Sequence, residues 1–175
     1  MADVNSFNTT PGAAIERKMM ILYLNTGAAE TPVWSPIGRR VVDSSMAFDW
    51  SKETNTDILG VTRTNVKAPI LNQTFEPCEL DAEDAAQYKI WIDAVKKQDL
   101  AAVVNQDLLV IHTYEGSSTT GVFAERYPNS AVLPSSLGGS SHLGMPIDVT
   151  FGGERSVGTA KSAAGVLTFT ADEAA

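Results

Sequence analysis

The apolar positions of this chain fall into one segment with a helical period and many with a strand period. Between Glu79 and Leu100, the residues Ala85, Tyr88, Trp91, Ile92 and Val95 recur every three or four positions, so they share one packing face of a helix predicted over about 81–98. Asp81 stands where an N-cap carboxylate accepts the free amides of the first turn, and Glu83 and Asp84 add charge that the helix dipole favours there. Pro77 bars an earlier start, and Lys96 and Lys97 close the last turn with cations. The start and stop signals therefore agree with the period.

The remaining segments read as strands and turns. Met19 to Leu24 is a short apolar run ended by Asn25-Thr26-Gly27, the punctuation of a buried strand. Val33-Trp34, bracketed by Pro32 and Pro36, is too short and kinked for a central strand. Val42 to Trp50 alternates, with Val42, Ser44, Met46, Phe48 and Trp50 on an apolar face and Asp43, Ser45, Ala47 and Asp49 on a wet one. Ile58 to Val66 resumes with β-branched residues, so the two runs are predicted to pair as a long hairpin whose exposed tip is the polar stretch 51–57. Ala68 to Glu76, Leu108 to Tyr114, Val122 to Tyr127 and Ala131 to Pro134 are further strands. Ser135 to Gly144 is a flexible loop, and Pro146 to Phe151 with Arg155 to Lys161 reads as a hairpin turning at Gly152-Gly153. Val166 to Thr170 is a last short strand or apolar tail segment.

Many strands beside one helix predict an α+β, mainly β fold: a β-sandwich or partly closed barrel with a single flanking α-helix. The expected organisation is one domain over 1–175, with an N-terminal arm at 1–18 in which Phe7 is the only anchor and a C-terminal tail at 162–175. A chain of 175 residues buries roughly 70% of its unfolded surface, enough for a core without staples.

Composition narrows the function classes. Formal charge is -8, from 21 acidic and 13 basic residues, and cations such as Arg39-Arg40 and Lys96-Lys97 come as pairs rather than a stripe. That balance argues against a nucleic-acid groove, which needs clustered Lys and Arg to neutralise phosphates. Cys78 is the only cysteine, so no internal disulfide or Cys-rich zinc site can form, and it is expected to be a small packing residue. No run approaches the ~18 apolar residues of a membrane span, and none has signal-peptide character, so a protein made and used in water is expected.

Candidate chemistry is sparse. His112 lies inside an apolar strand, where a hydrogen-bonded core histidine is the expected role. His142, beside Ser140 and Ser141 with Asp148 near in sequence, is the one nucleophile-like grouping, and it lacks the strand-to-helix elbow that exposes a catalytic serine. Asp81, Glu83 and Asp84 have the charge of a calcium loop without its glycine. There is no phosphate loop or dinucleotide fingerprint, so no enzyme activity, cofactor or metal is expected. A polar arm, an exposed hairpin tip and more strand edges than a domain this size covers point instead to self-association, and a heterologous contact of that kind closes a ring or extends a filament.

The stretch RVVDSSMAFDWSKETNTDILGVTRTNVKAPILNQTFEP (Arg40 to Pro77), continued by CELDAEDAAQYKIW, together with FAERYP and the later PIDVTFGGERSVGTA, resembles the major tail tube proteins of long-tailed bacterial viruses. The likeness runs from about Met20 to Lys161. It implies a sandwich or barrel with a flanking helix, as in the tubes of contractile tails and type VI secretion, six copies per ring, a continuous inner barrel, and rings stacked for genome delivery. It further implies that Ser51, Lys52, Glu53, Thr54, Asn55, Thr56 and Asp57 reach a neighbouring subunit or ring, and that Phe7 in the arm is ordered by assembly. The implied partners are other copies of the chain, a tape measure and a tail terminator, with DNA passing unbound and no membrane insertion. The implied place is the virion tail, assembled in the host cytoplasm, and a non-contractile tail is the preferred type. Other readings are a decoration or connector protein of the virion, or a carbohydrate-binding sandwich. The last needs exposed Trp34, Trp50 and Trp91, whereas Trp50 and Trp91 are expected on apolar faces.

Overall fold

The structure, a computed structural model, describes residues 8–10, 12–117 and 119–172. Phe7 and the start of the arm therefore lie outside the described residues.

Eleven strands are described: β1 Met20–Asn25, β2 Trp34–Ile37, β3 Val41–Asp49, β4 Glu53–Thr56, β5 Thr62–Asn65, β6 Ile70–Cys78, β7 Gln106–Ser117, β8 Gly121–Pro134, β9 Ile147–Thr150, β10 Ser156–Ala163 and β11 Val166–Ala171. Strand β8 belongs to two sheets. Its first half joins the order β2-β1-β7-β8-β10-β11, and its second half joins β8-β9-β6-β3. The change of partner falls at Pro128-Asn129, where Asn129 has a φ of 54° and the strand bulges. Gly152 sits against that bulge: a Cβ there would lie 2.0 Å from the Pro128 carbonyl oxygen, so only glycine lets the segment after β9 cross so close.

The core follows from alternation. Leu22 and Leu24 of β1 and Leu108 and Val110 of β7 point between the sheets, where they meet Leu71 and Phe75 of β6, Val132 of β8, and Ile147 and Val149 of β9. Full burial of each such side chain contributes about 1.5–3 kcal/mol. The intervening Leu109 and Ile111 project to the opposite face, where Ala124 and Ala160 form a second cluster rimmed by Tyr23, Trp34 and Phe169. The mainly β sandwich, left open on one side, is the architecture the pattern predicts.

Strand β2, which contains Pro36, is an edge strand paired with β1, in keeping with the expectation that this segment is not a central strand. Several boundaries differ from expectation. Strand β3 pairs with β6, not with the run after it, and residues 51–68 form a separate exposed excursion holding the β4–β5 hairpin. The segments around Gly152-Gly153 do not pair with each other: β9 lies between β6 and β8, and β10 pairs with β8 and β11. Part of the predicted tail is thus β11, joined to β10 by the two-residue turn Ala164-Gly165.

The predicted helix is shorter and rotated. Helix α1 spans Ala85–Trp91, a π turn follows over Ile92–Lys96, and a second helix, α2, spans Leu100–Val104. Asp84, not Asp81, is the N-cap and accepts from the Gln87 amide at 3.0 Å. The buried face is Ala86, Gln87, Ile90 and Asp93. Of the expected face, Ala85 and Tyr88 are exposed, while Trp91, Ile92 and Val95 are half-buried. One residue is about 100° of helix, and two polar side chains inside the true face hid its period. Gln87 is buried because its carboxamide accepts from the Asp81 amide at 2.7 Å and donates to the Arg39 and Glu79 carbonyl oxygens at 3.2 and 3.1 Å. Asp93 is buried against Lys89 Nζ at 3.0 Å and Gln106 Nε2 at 3.2 Å.

Candidate assembly surfaces

The β4–β5 hairpin is built from small polar strands and an apolar turn. Thr54 faces Thr64 and Thr56 faces Thr62, with hydroxyl contacts of 3.4 and 3.0 Å, and the Lys67 amide bonded to the Trp50 carbonyl at 3.1 Å closes the root. At the far end Asp57 fixes the turn. Its carboxylate accepts from the Leu59 and Val61 amides at 2.9 Å each, its backbone pairs with Val61 and Gly60, and Gly60 takes the left-handed conformation at φ 79°. This is the three-residue loop that ends in a left-handed glycine. Its consequence is chemical: Ile58 is fully exposed and Leu59 is 83% exposed on a held turn.

Every residue from Ser51 to Ala68 is exposed, so the hairpin touches the body only at its root. Ser51, Lys52, Glu53, Thr54, Asn55, Thr56 and Asp57 lie on its ascending side as loop, strand and turn anchor. The tip is formed instead by Ile58 to Val61. Phe48 and Trp50, at the end of β3, stack at 6.3 Å between ring centres and are both about half exposed, which corrects the expectation that Trp50 packs inside. Trp34 lies half-buried under the Arg126 guanidinium and Trp91 half-buried against the core.

The remaining sheet borders are β2, β3 and β11, each paired on one side. Between β2 and β3 the barrel does not close. A cleft of about 450 Å3 opens there, floored by Leu22, Ile37 and Phe75 and walled by Met20, Val41 and Val42. Arg17 spans the gap, donating to the Ser44 carbonyl at 2.9 Å and the Met20 carbonyl at 2.6 Å.

The groups with chemical potential are structurally committed. His112 Nε2 meets Glu125 at 2.9 Å and its Nδ1 meets the Tyr114 hydroxyl at 2.7 Å, as expected for a core histidine. Glu125 also accepts from Tyr127 at 3.2 Å and from Arg155. Burial works to raise the Glu125 pKa, but the hydrogen bond from His112 and the charge of Arg155 outweigh it and hold the carboxyl below its ordinary value. Burial, then the Glu125 charge, pushes Tyr127 up to about 12.

His142 meets Ser141 Oγ at 3.2 Å and Glu79 at 3.8 Å, both through Nδ1. A relay needs the serine and the carboxylate on opposite ring nitrogens, so this exposed trio has the wrong geometry for nucleophilic catalysis. Burial and the Asp84 charge push the Cys78 thiol up to about 11, so it is a neutral packing group near pH 7. Asp81 is held below its ordinary value by the Glu83 amide and by Arg40, which is a local clasp between chain segments. Among the described residues, no cluster of three or more His, Cys, Asp or Glu is placed to hold a metal, and no helix is long and apolar enough to cross a membrane.

The sequence matches no protein-family model and no curated protein. Among solved structures, the cap of the anti-feeding prophage, its tube-terminating cap, aligns over 87% of this chain and 95% of its own, at 15% identity and a TM-score of 0.50. The fold is similar to that of a tube-terminating cap. Two components of an extracellular contractile injection system, PVC, in its extended state also align, each at 12% identity and over 85% of this chain. They are the sheath/tube terminator, covered over 99% at a TM-score of 0.49, and a chain of the sheath-tube complex, covered over 94% at 0.48.

Proposed function

We propose that this chain is a structural subunit of a phage-type tail tube, forming rings that stack into a conduit for the genome. The observation that carries the reading is the projecting hairpin. A body whose own core is complete also holds out residues 51–68, wholly exposed, with aliphatic residues fixed at the end. Exposed aliphatic groups held on a rigid turn gain about 1.5–3 kcal/mol each only when something covers them. The open edges of β2, β3 and β11 supply backbone groups for lateral pairing between copies. The similarity of fold to a tube-terminating cap supports the same class of role.

In this reading Ser51 to Asp57 carry the tip towards the neighbouring subunit or ring, and Phe7 belongs to an arm that assembly orders. Six copies per ring would carry 6 × -8 = -48 formal charges, so the passage presents few cations to phosphate and DNA slides. Tape measure and terminator proteins are the further partners, and the virion tail is the place. A second reading, favoured by the cap likeness over nearly the whole of that cap, is that the ring ends a tube rather than extending it.

Negative-stain microscopy of the purified protein tests both. Striated tubes or stacked rings are expected of a tube subunit, and single rings that bind the ends of preformed tubes are expected of a cap. A lasting monomer that binds glycan arrays through Trp50 would overturn the proposal.

A further inference from the structure

We infer that the cleft between β2 and β3 is the socket for the Ile58–Val61 tip of a second copy of this chain, in a head-to-tail contact. This rests on the reading of the chain as a self-assembling tube-type subunit, and it names the surface that receives the hairpin. The tip is aliphatic, held by Asp57, and without cover in its own chain. The cleft offers an apolar floor of Leu22, Ile37 and Phe75 at the seam where the barrel stays open, with the charged residues Arg17, Lys18, Arg39 and Asp43 also lining it. At about 450 Å3 it exceeds several-fold the roughly 150 Å3 that accommodates a benzene ring, so two branched aliphatic side chains fit.

Position decides the polarity. The cleft is walled by the beginning of β3, at Val41 and Val42, whereas the hairpin leaves the body beyond the end of β3, at Trp50. The hairpin's root and the socket therefore sit at opposite ends of one extended strand, about 23 Å apart along seven residues. In its own chain the tip does not fill the socket, since Ile58 is fully and Leu59 83% exposed, so the proposed occupant is the tip of another copy. Each copy offers one tip and one socket, so the contact is heterologous and propagates in one direction.

The test uses two full-length variants at exposed positions. Ile58→Asp with Leu59→Asp removes the tip, and Val42→Arg places a long cation in the cleft mouth. Both are expected to keep the wild-type circular dichroism spectrum and melting temperature. In sedimentation velocity each variant alone should stop at the assembly formed before stacking. An equimolar mixture should restore one contact per pair, doubling the mass of that assembly without extending it further.

An independent readout mixes Leu59→Cys with Val42→Cys under dioxygen and a copper–phenanthroline catalyst. Cross-linked heterodimers are expected from the mixture and not from either variant alone; Cys78 is buried and does not compete. Stacking by either variant alone, or a mixture that neither pairs nor cross-links, overturns the socket while leaving the tube reading standing. A wild-type chain that stays monomeric at high concentration overturns both.

Discussion

Glu125 is the residue on which one side of the core turns. It is 8% exposed, and its carboxylate gathers His112 from β7, Tyr127 from its own strand and Arg155 from the segment leading into β10. Because its folded pKa lies below the ordinary carboxylate value, its contribution is fully present above that value and is lost as pH falls through the folded one. Glu125→Gln should cost about 2 kcal/mol at pH 7, lowering Tm by about 4–8 °C, since it removes the charge that three donors face. Melting curves from pH 3 to 7 should show the variant less sensitive to acid, the gap narrowing below the carboxylate range; a constant gap would refute the role. His112 was legible in the sequence as a core histidine, but its partner was not, because Glu125 lies across a strand pair that periodicity alone does not register. Gln87 shows the opposite failure. A buried carboxamide reads as a surface residue until the Asp81 amide and the Arg39 and Glu79 carbonyls that need it are in place.

At the scale of elements, the β4–β5 hairpin behaves as an attachment rather than part of the fold. Replacing residues 51–66 with an Asn-Gly turn should leave Tm within about 3 °C of wild type, because those residues are all exposed and the Trp50–Lys67 root bond is kept. Stacked assemblies should disappear from sedimentation profiles of that variant. Deleting 51–57 alone is the poorer experiment, since it would strip β5 of its partner and Asp57 from the turn. The alternation that marked β3 had the correct phase at Ser44 and Met46, which are half-buried. It failed as a guide to burial at Val42, Phe48 and Trp50, which occupy the same face but run past the edge of the core. The helix failed by one residue of rotation, and its break at Gln98, with φ 51°, carried no sequence signal comparable to glycine or proline.

For the whole molecule, charge sets the conditions of assembly. Copies each carrying -8 repel one another, while a tip in an apolar socket gains nothing from long-range electrostatics. Raising NaCl from about 0.05 to about 0.5 M should therefore shift material from small species to large ones in sedimentation velocity, the reverse of an assembly held by surface ion pairs. Dissolution by salt would point to ion-pair contacts such as those a basic rim makes. The sequence by itself determined the class of fold, most strand positions and the commitment of Cys78 to packing, because alternation and composition are local properties of the chain. Tertiary structure alone decided that β3 pairs with β6, that β8 is shared by two sheets, that Ile58 and Leu59 form the tip, and that a cleft stands open beside β2. Those outcomes depend on which distant segments find each other's backbone groups, and a strand's pattern states which side it buries without stating against whom.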